Sequence, residues 1–332
     1  MESLKSLGEF EVIRRLLERR PSGPGVVVGG GDDAAVLAVD PSCELVATTD
    51  ALVEGRHYRD ELVTPHELGA RLAAANLSDV AAMGGRARWA LLSAGIRSDR
   101  PFETVSEVES GLCLALSREG AALVGGNFSA VDGPEWWSLT VLGEVTRGQA
   151  WKRSGAKPGD QVIVTGFPGR AAAGLAFATR HGAPRSGDWW RPLFTAWVAP
   201  APPLALVRGM RSPLIAAAID ISDGLAADLG QLCAASGVGA EIDPALLPAD
   251  PLLERGAREL DVPLESLRFS ASDDYQLLLA VRPTDRAAVE SAARKTGVVV
   301  HVIGRTTAEP GLRLIGGGEA RPIVAGGWDH FK

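Results

Sequence analysis

Four short acidic segments carry the residues best suited to chemistry: Gly31-Asp32-Asp33-Ala34, Thr48-Thr49-Asp50, Asn76-Leu77-Ser78-Asp79 and Asp220-Ile221-Ser222-Asp223-Gly224. Each sets a carboxylate beside an apolar run, where an unpaired charge is expensive to bury. Carboxylates gathered from distant parts of a chain need a counter-charge. Magnesium with phosphate supplies one, because hard cations take oxygen ligands. The chain has no G-x-x-x-x-G-K-[ST] loop, and no strand-linked G-x-G-x-x-G stands out. The combination points to nucleotide chemistry run by carboxylates and metals on a less common fold.

Each segment also has a plain structural alternative. The Gly29–Asp33 stretch can be an ordinary turn, since Gly and Asp suit turns sterically and by hydrogen bonding. Asp50 reads as standing at a strand end, either as a ligand or as a cap for the next turn. Asp79 lies in a helical run between Leu77, Val80 and Met83, and a salt bridge to Arg71 or Arg86 would also account for it. Asp220 and Asp223 fall at a strand-to-helix junction. There Ser222 or Asp223 can cap the helix, or the helix start can receive phosphate. His57 and His330 are isolated and show no zinc-type spacing. The Trp136-Trp137 and Trp189-Trp190 pairs read as packing residues.

Periodicity and breakers define the elements that must position these groups. The spacing predicts a helix over 8–20 with Phe10, Ile13, Leu16 and Leu17 on one face. Strands are expected at 26–28 and 45–49. Thr64-Pro65-His66-Glu67 combines a capping box with a proline at the first helical position, and the helix should stop at Gly84-Gly85. Asn76 and Asp79, three apart, share a face of it. A strand at 89–96, a helix at 102–119 and strands at 121–124 and 136–145 follow. The polar turn Arg153–Asp160 marks a boundary, giving domains 1–150 and 151–332. The second half should hold strands at 161–165, 215–221, 275–281 and 298–303. Its helices should lie at 170–181, from the acidic turn to 236, and at 285–296, the last started by Thr284 and stopped by Gly297.

The 332 residues are enough for two compact domains with real cores. With 46% hydrophobic and 23% charged residues, the composition is that of a soluble globular protein. The net charge of −7 argues against nucleic acid or anionic membrane as a partner. Anionic nucleotides remain compatible, because bound magnesium inverts the local field. Cys43, Cys113 and Cys233 are scattered in apolar contexts and read as reduced packing residues. No signal peptide and no membrane-spanning apolar run is evident, so the expectation is a cytoplasmic protein.

Five segments together resemble one family. They are Gly31–Val36, Thr49–His57, Asn76–Gly84, Arg153–Asp160 and Ile219–Leu225, followed by the closing Gly327-Trp328-Asp329-His330-Phe331. Along nearly its whole length the chain resembles the thiamine-monophosphate kinases. They share a superfamily with aminoimidazole ribonucleotide synthetase and selenophosphate synthetase. The acidic motifs are shared loosely across that superfamily, whereas the His57 segment and the C-terminal tail are more particular to the kinases.

The resemblance implies ATP-dependent phosphorylation of thiamine monophosphate to thiamine diphosphate by direct, magnesium-assisted transfer, with no phospho-enzyme and no catalytic side chain as such. It implies an N-terminal α+β domain with a mixed sheet that pairs in a homodimer, a C-terminal α/β domain, and an active-site cleft between them. By motif position Asp33, Thr48, Thr49, Asp50, Asp79, Asn127, Asp220 and Asp223 would surround the metals. Gly126, Asn127, Arg153 and Ser222 would contact ATP, and His57, Asp273 and Trp328 would line the substrate pocket.

Three departures stand out. Gly125-Gly126-Asn127-Phe128 replaces the family's Gly-Gly-Asp-Thr, so one metal ligand loses its charge. Ala271-Ser272-Asp273-Asp274-Tyr275-Gln276 replaces Gly-Gly-Glu-Asp-Tyr-Glu, and Pro200-Ala201-Pro202-Pro203 lacks the family's arginine. Two other functions compete: another ATP-using enzyme of the superfamily, or a non-catalytic nucleotide or thiamine-phosphate binding homologue.

Overall fold

The computed structural model describes residues 2–20, 23–30, 33–210, 214–316 and 319–323. Asp32 and Trp328 therefore lie outside the described residues. The chain divides into two compact units, one over 1–80 and 85–148, the other over 81–84 and 149–332.

In the first unit, helices α1 (Leu4–Leu7) and α2 (Glu9–Leu17) precede short strands β1 (Val26–Val28) and β2 (Val36–Leu37). There follow β3 (Cys43–Val53), α3 (Pro65–Ala82), β4 (Arg86–Ile96), α4 (Phe102–Arg118), β5 (Ala122–Ala130) and β6 (Trp136–Thr146). A four-stranded sheet has the order β3-β6-β4-β5, antiparallel except for β4 and β5. Strand β3 alternates as a strand with one covered face should. Val46, Thr48, Asp50 and Leu52 are buried or half-buried, while Leu45, Ala47, Thr49 and Ala51 are exposed. Helix α3 begins with a reciprocal cap. The Thr64 amide donates to Glu67 Oε2 at 2.9 Å and the Glu67 amide to Thr64 Oγ1 at 3.3 Å.

Three sequence expectations are corrected here. Phe10 is 88% exposed, and α2 buries Val12 and Leu16 instead. The apolar stripe of that helix is wider than the surface the core offers it. Asp50 lies in the middle of β3 rather than at a strand end, because Ala51–Val53 continue the ladder against Trp136–Ser138. Strand β5 runs on to Ala130 and takes in Gly125-Gly126-Asn127, since pairing with β4 overrides the local weakness of two glycines.

The second unit opens with β7 (Gln161–Thr165), α5 (Arg170–His181), α6 (Arg191–Val198), α7 (Leu204–Gly209), β8 (Ala217–Ile221), α8 (Leu225–Ser236) and β9 (Gly239–Ile242). It continues with α9 (Pro251–Leu260), α10 (Leu264–Phe269), β10 (Gln276–Val281), α11 (Arg286–Thr296), β11 (Val300–Thr307), β12 (Leu312–Gly316) and β13 (Glu319–Pro322). Seven strands order as β13-β12-β9-β11-β7-β10-β8. The sheet is mixed, with β9 and β12 parallel and the other neighbours antiparallel. Helix α8 packs Leu225, Ala226, Leu229 and Leu232 into a core with Val164, Ile219, Ile221 and Ile303. Strands β7 and β10, inside the sheet, and β8, at its edge, are almost wholly buried, and apart from Asp220 and the Gln161, Thr165 and Gln276 ends they are apolar. Among the described residues no helix is long and apolar enough to cross a membrane.

Candidate functional site

The covered face of the first sheet brings two of the acidic segments together. Thr48 and Asp50, two apart on β3, point to the side packed by α3, where Asn76 and Asp79 share a face. Thr48 Oγ1 donates to Asp79 Oδ2 at 2.5 Å, and the Asp50 amide donates to Asn76 Oδ1 at 3.1 Å. Asn76 is fully buried and is fixed by its own donation to Leu72 O at 3.0 Å. Strand and helix are thereby stitched at two points, and both carboxylates lie in the layer between them.

Thr49 and Asn127 lie differently. Thr49 faces the opposite side of the sheet, where it donates to Leu139 O at 3.2 Å and accepts from Thr140 Oγ1 at 3.1 Å. Asn127 pairs with Ser93, which pairs with Ser138, and that row belongs to the same opposite side. Asn127 is exposed and donates to Ser129 Oγ at 3.4 Å; Gly126 is exposed beside it. Asp33 is exposed in the bend before β2. Among the described residues no group of three His, Cys, Asp or Glu side chains is placed to hold a metal ion. The Asp79 and Asp50 carboxylates, the first held by Thr48 and the second on a backbone held by Asn76, offer hard oxygen donors of the kind magnesium takes while keeping several waters.

His57 sits in a tight turn after β3. Its Nδ1 accepts the Val53 amide at 3.0 Å, so the neutral ring carries its proton on Nε2. An ion network clamps this turn. Arg97 Nη1 meets Glu54 Oε2 at 2.5 Å, and Arg100 Nη2 meets Asp60 Oδ2 at 2.6 Å and Glu135 Oε2 at 2.5 Å. The Arg97 guanidinium holds the Glu54 carboxyl below its ordinary range. A cavity of about 140 Å³ opens beside the network, bounded in part by Asp60, Arg100, Glu135 and Trp137. Neither Asp50 nor Asp79 lines it. The five charged residues of the network come from three separate segments, with Glu54 and Asp60 in one, Arg97 and Arg100 in another and Glu135 in a third, and nothing in the sequence marks the three as partners.

In the second unit, β8 carries buried Asp220 into the turn Ser222-Asp223-Gly224, and α8 starts at Leu225. The carboxylate that organises this turn is Asp228. Its Oδ2 accepts the amides of Ser222, Asp223 and Gly224 at 3.1, 3.0 and 3.1 Å. Burial pushes Asp228 up to about 7 against those three amides, and the neighbouring Asp223 charge adds to the rise. The same reasoning that singled out Asp79, a carboxylate flanked by apolar residues in a helix, would have found Asp228 between Ala226 and Leu229. Gly224 adopts φ +114°, and a Cβ there would lie 2.2 Å from Ser270 O. The position therefore needs glycine both for its backbone and for its space.

That contact sets the turn against the segment 270–275, which carries Asp273. The Tyr275 amide donates to Ile221 O at 2.8 Å, with Tyr275 itself at φ 50°. Asp274, not Asp273, is the buried acid: its Oδ2 accepts Gly169 N–H at 2.7 Å and Ser272 Oγ–H at 2.8 Å, and its Oδ1 accepts Ala171 N–H at 3.1 Å. It thus caps α5 from a distant segment, and half-buried Asp273 is held next to it. Arg153 is exposed, and its Nη1 donates to Gln231 Oε1 at 2.7 Å.

Comparison with known proteins agrees along the chain. The family model for the AIR synthase related protein N-terminal domain matches residues 31–145, and that for the C-terminal domain matches 157–317. A thiamine-monophosphate kinase of Escherichia coli O157:H7 is 37% identical over 331 residues, 98% of each chain. Among solved structures, a thiamine-monophosphate kinase from Stenotrophomonas maltophilia K279a is similar at a TM-score of 0.82 and 30% identity, over 93% of this chain and 95% of that one. AaThiL complexed with AMPPCP and TMP is similar at 0.79 and 28%, over 100% and 99%.

Proposed function

The chain belongs to the AIR synthase related protein family, and we propose that it works there as a thiamine-monophosphate kinase with the residue roles given below. It moves the terminal phosphoryl group of ATP onto the phosphate of thiamine monophosphate, giving ADP and thiamine diphosphate. The observation that carries this function is near-complete coverage of both chains at 37% identity with a kinase of that name. The Asp50 and Asp79 pair supports it with a layer of oxygen donors.

Phosphoryl transfer asks for positioning and charge neutralisation rather than covalent chemistry by the protein. The donor set fits magnesium, which when bound offsets the charge of the phosphate oxygens. We assign magnesium ligands to Asp33, Asp50 and Asp79 in the first unit, with Thr48 orienting Asp79 through its hydroxyl, and to Asp220 and Asp223 in the second. Thr49 and Asn127 place their side chains on the other side of the sheet, so neither stands beside Asp50 there. Gly126 and Asn127, exposed on β5, are the proposed nucleotide contacts of the first unit. Ser222 and Arg153 are those of the second, Arg153 as a fixed positive charge for phosphate. His57 and Asp273 are the proposed substrate contacts among the described residues. The clamped turn supports His57, and the capped segment supports Asp273.

The reading extends to a homodimer formed through the first sheet, whose side away from α3 is covered over Trp89 by Val26 and Leu37 but exposes Leu45 at 52% and Leu91 at 37%. Sedimentation should give twice the 34.7 kDa of one chain; a monomer at micromolar concentration removes that part of the proposal.

The deciding experiment is ADP release with magnesium-ATP and thiamine monophosphate, with the product identified as thiamine diphosphate. Turnover that depends on thiamine monophosphate is expected, at about 0.1 s⁻¹ or faster even if slow for an enzyme. The uncharged Asn127 favours one other reading, a binding homologue. Tight binding of both ligands without turnover would establish that instead.

A further inference from the structure

The turn that holds Asp223 and the arginine proposed for phosphate are joined by a continuous hydrogen-bonded path. Asp228 Oδ2 takes the three amides of residues 222–224, and its Oδ1 accepts Gln231 Nε2 at 3.5 Å. Gln231 Oε1 in turn accepts Arg153 Nη1 at 2.7 Å. The backbone of Arg153 is tied to the far end of the same helix, where Ser236 Oγ donates to Arg153 O at 2.9 Å and accepts the Ala156 amide at 3.2 Å. One helix, α8, therefore fixes both groups. Gln231 is exposed, and its amide lies between the Asp228 carboxylate on one side and the Arg153 guanidinium on the other.

We infer that Asp228 is a positioning residue that ties the Ser222-Asp223-Gly224 turn to Arg153 through Gln231, holding the arginine in register with the acidic turn. This rests on the kinase reading, which makes Arg153 and Ser222 nucleotide contacts. The polarity of the path matters. An ionised carboxylate at 228 can only accept, so Gln231 turns its NH2 to it and its oxygen to Arg153. An amide at 228 that keeps its oxygen on the three backbone N–H groups presents NH2 to Gln231. The glutamine then turns its own NH2 towards Arg153 and releases it. A carboxylate at 231 would accept from both sides and restore the path.

The test measures binding of AMPPCP in magnesium by calorimetry, with thermal unfolding recorded for each variant. Wild-type protein should bind. Gln231→Ala, at an exposed site, should melt like wild type and bind about three- to tenfold more weakly, as expected for one lost charge-assisted hydrogen bond. Asp228→Asn should bind about tenfold more weakly. The double variant Asp228→Asn/Gln231→Glu should return to within about twofold of wild type. Unchanged affinity in Gln231→Ala overturns the inference, as does a double variant no better than Asp228→Asn, which would leave Asp228 a helix cap alone. If Asp228→Asn does not fold, Gln231→Ala decides the matter. Wild-type protein that fails to bind the nucleotide overturns the kinase reading itself, a result separate from either variant outcome.

Discussion

Asp79→Asn should lower turnover about 10²- to 10³-fold at saturating magnesium while the protein melts within a few degrees of wild type. A lost metal contact at a phosphoryl group removes several kcal/mol of transition-state stabilisation, and each 1.4 kcal/mol is tenfold in rate. The amide is nearly isosteric and can still accept the Thr48 hydroxyl, so the link between β3 and α3 survives. Asp50→Asn should behave alike, because its backbone amide, not its side chain, makes the bond to Asn76. Charge is thus removed without loosening the layer. Wild-type-like rates in both variants would end the assignment of this pair to magnesium, and a large drop in melting temperature would show that the carboxylates act mainly in folding.

Asp274→Ala should destabilise the second unit by about 3 kcal/mol at neutral pH, because the amides of Gly169 and Ala171 and the Ser272 hydroxyl lose their acceptor in a buried place. At roughly 2–4 °C per kcal/mol for a unit of this size, the melting temperature should fall by about 6–12 °C. The effect has a pH signature. Burial lifts Asp274 from an ordinary 3.8 to about 6, against the pull of its three donors, with the Asp273 charge adding to the rise. Between those values the folded chain holds a proton that the unfolded chain has released. Stability from this group therefore falls as pH rises from about 4 to 6 and is flat above. The gap between wild type and Asp274→Ala should be wider at pH 5 than at pH 7.5, by up to about 3 kcal/mol across the whole window. Denaturant titrations at the two pH values check this; a gap that widens upward in pH would mean that Asp274 is held ionised, not lifted.

The acidic segments, the cap at Thr64 and most helices were legible because they are local. A capping box, a helical period or a carboxylate inside an apolar run can be read within a few residues. The order of residues by itself determined the family, the kind of chemistry and the candidates Asp50, Asp79, Asp220 and Asp223. It marked the Asp220–Gly224 turn as well, though the positive φ and the Ser270 carbonyl that leave room only for glycine at 224 came from the fold.

Tertiary structure decided which face each candidate uses and what holds it there. The period of a strand separates Thr48 from Thr49, but only the packing of α3 shows which of the two meets Asp79. The extension of β5 through two glycines came from a ladder partner in β4. Asp228 could have been read as a carboxylate among apolar helical residues, its turn partners only four to six positions away, but Asp274 and the Arg97–Arg100–Glu135 network were silent in the sequence. Their partners lie up to 105 residues away, as between Gly169 and Asp274, and hydrogen bonds across such separations leave no periodic trace. Burial then adds what spacing cannot carry: it makes Asp228 and Asp274 costly to ionise, and the surrounding amides, with the Ser272 hydroxyl at Asp274, offset only part of that penalty.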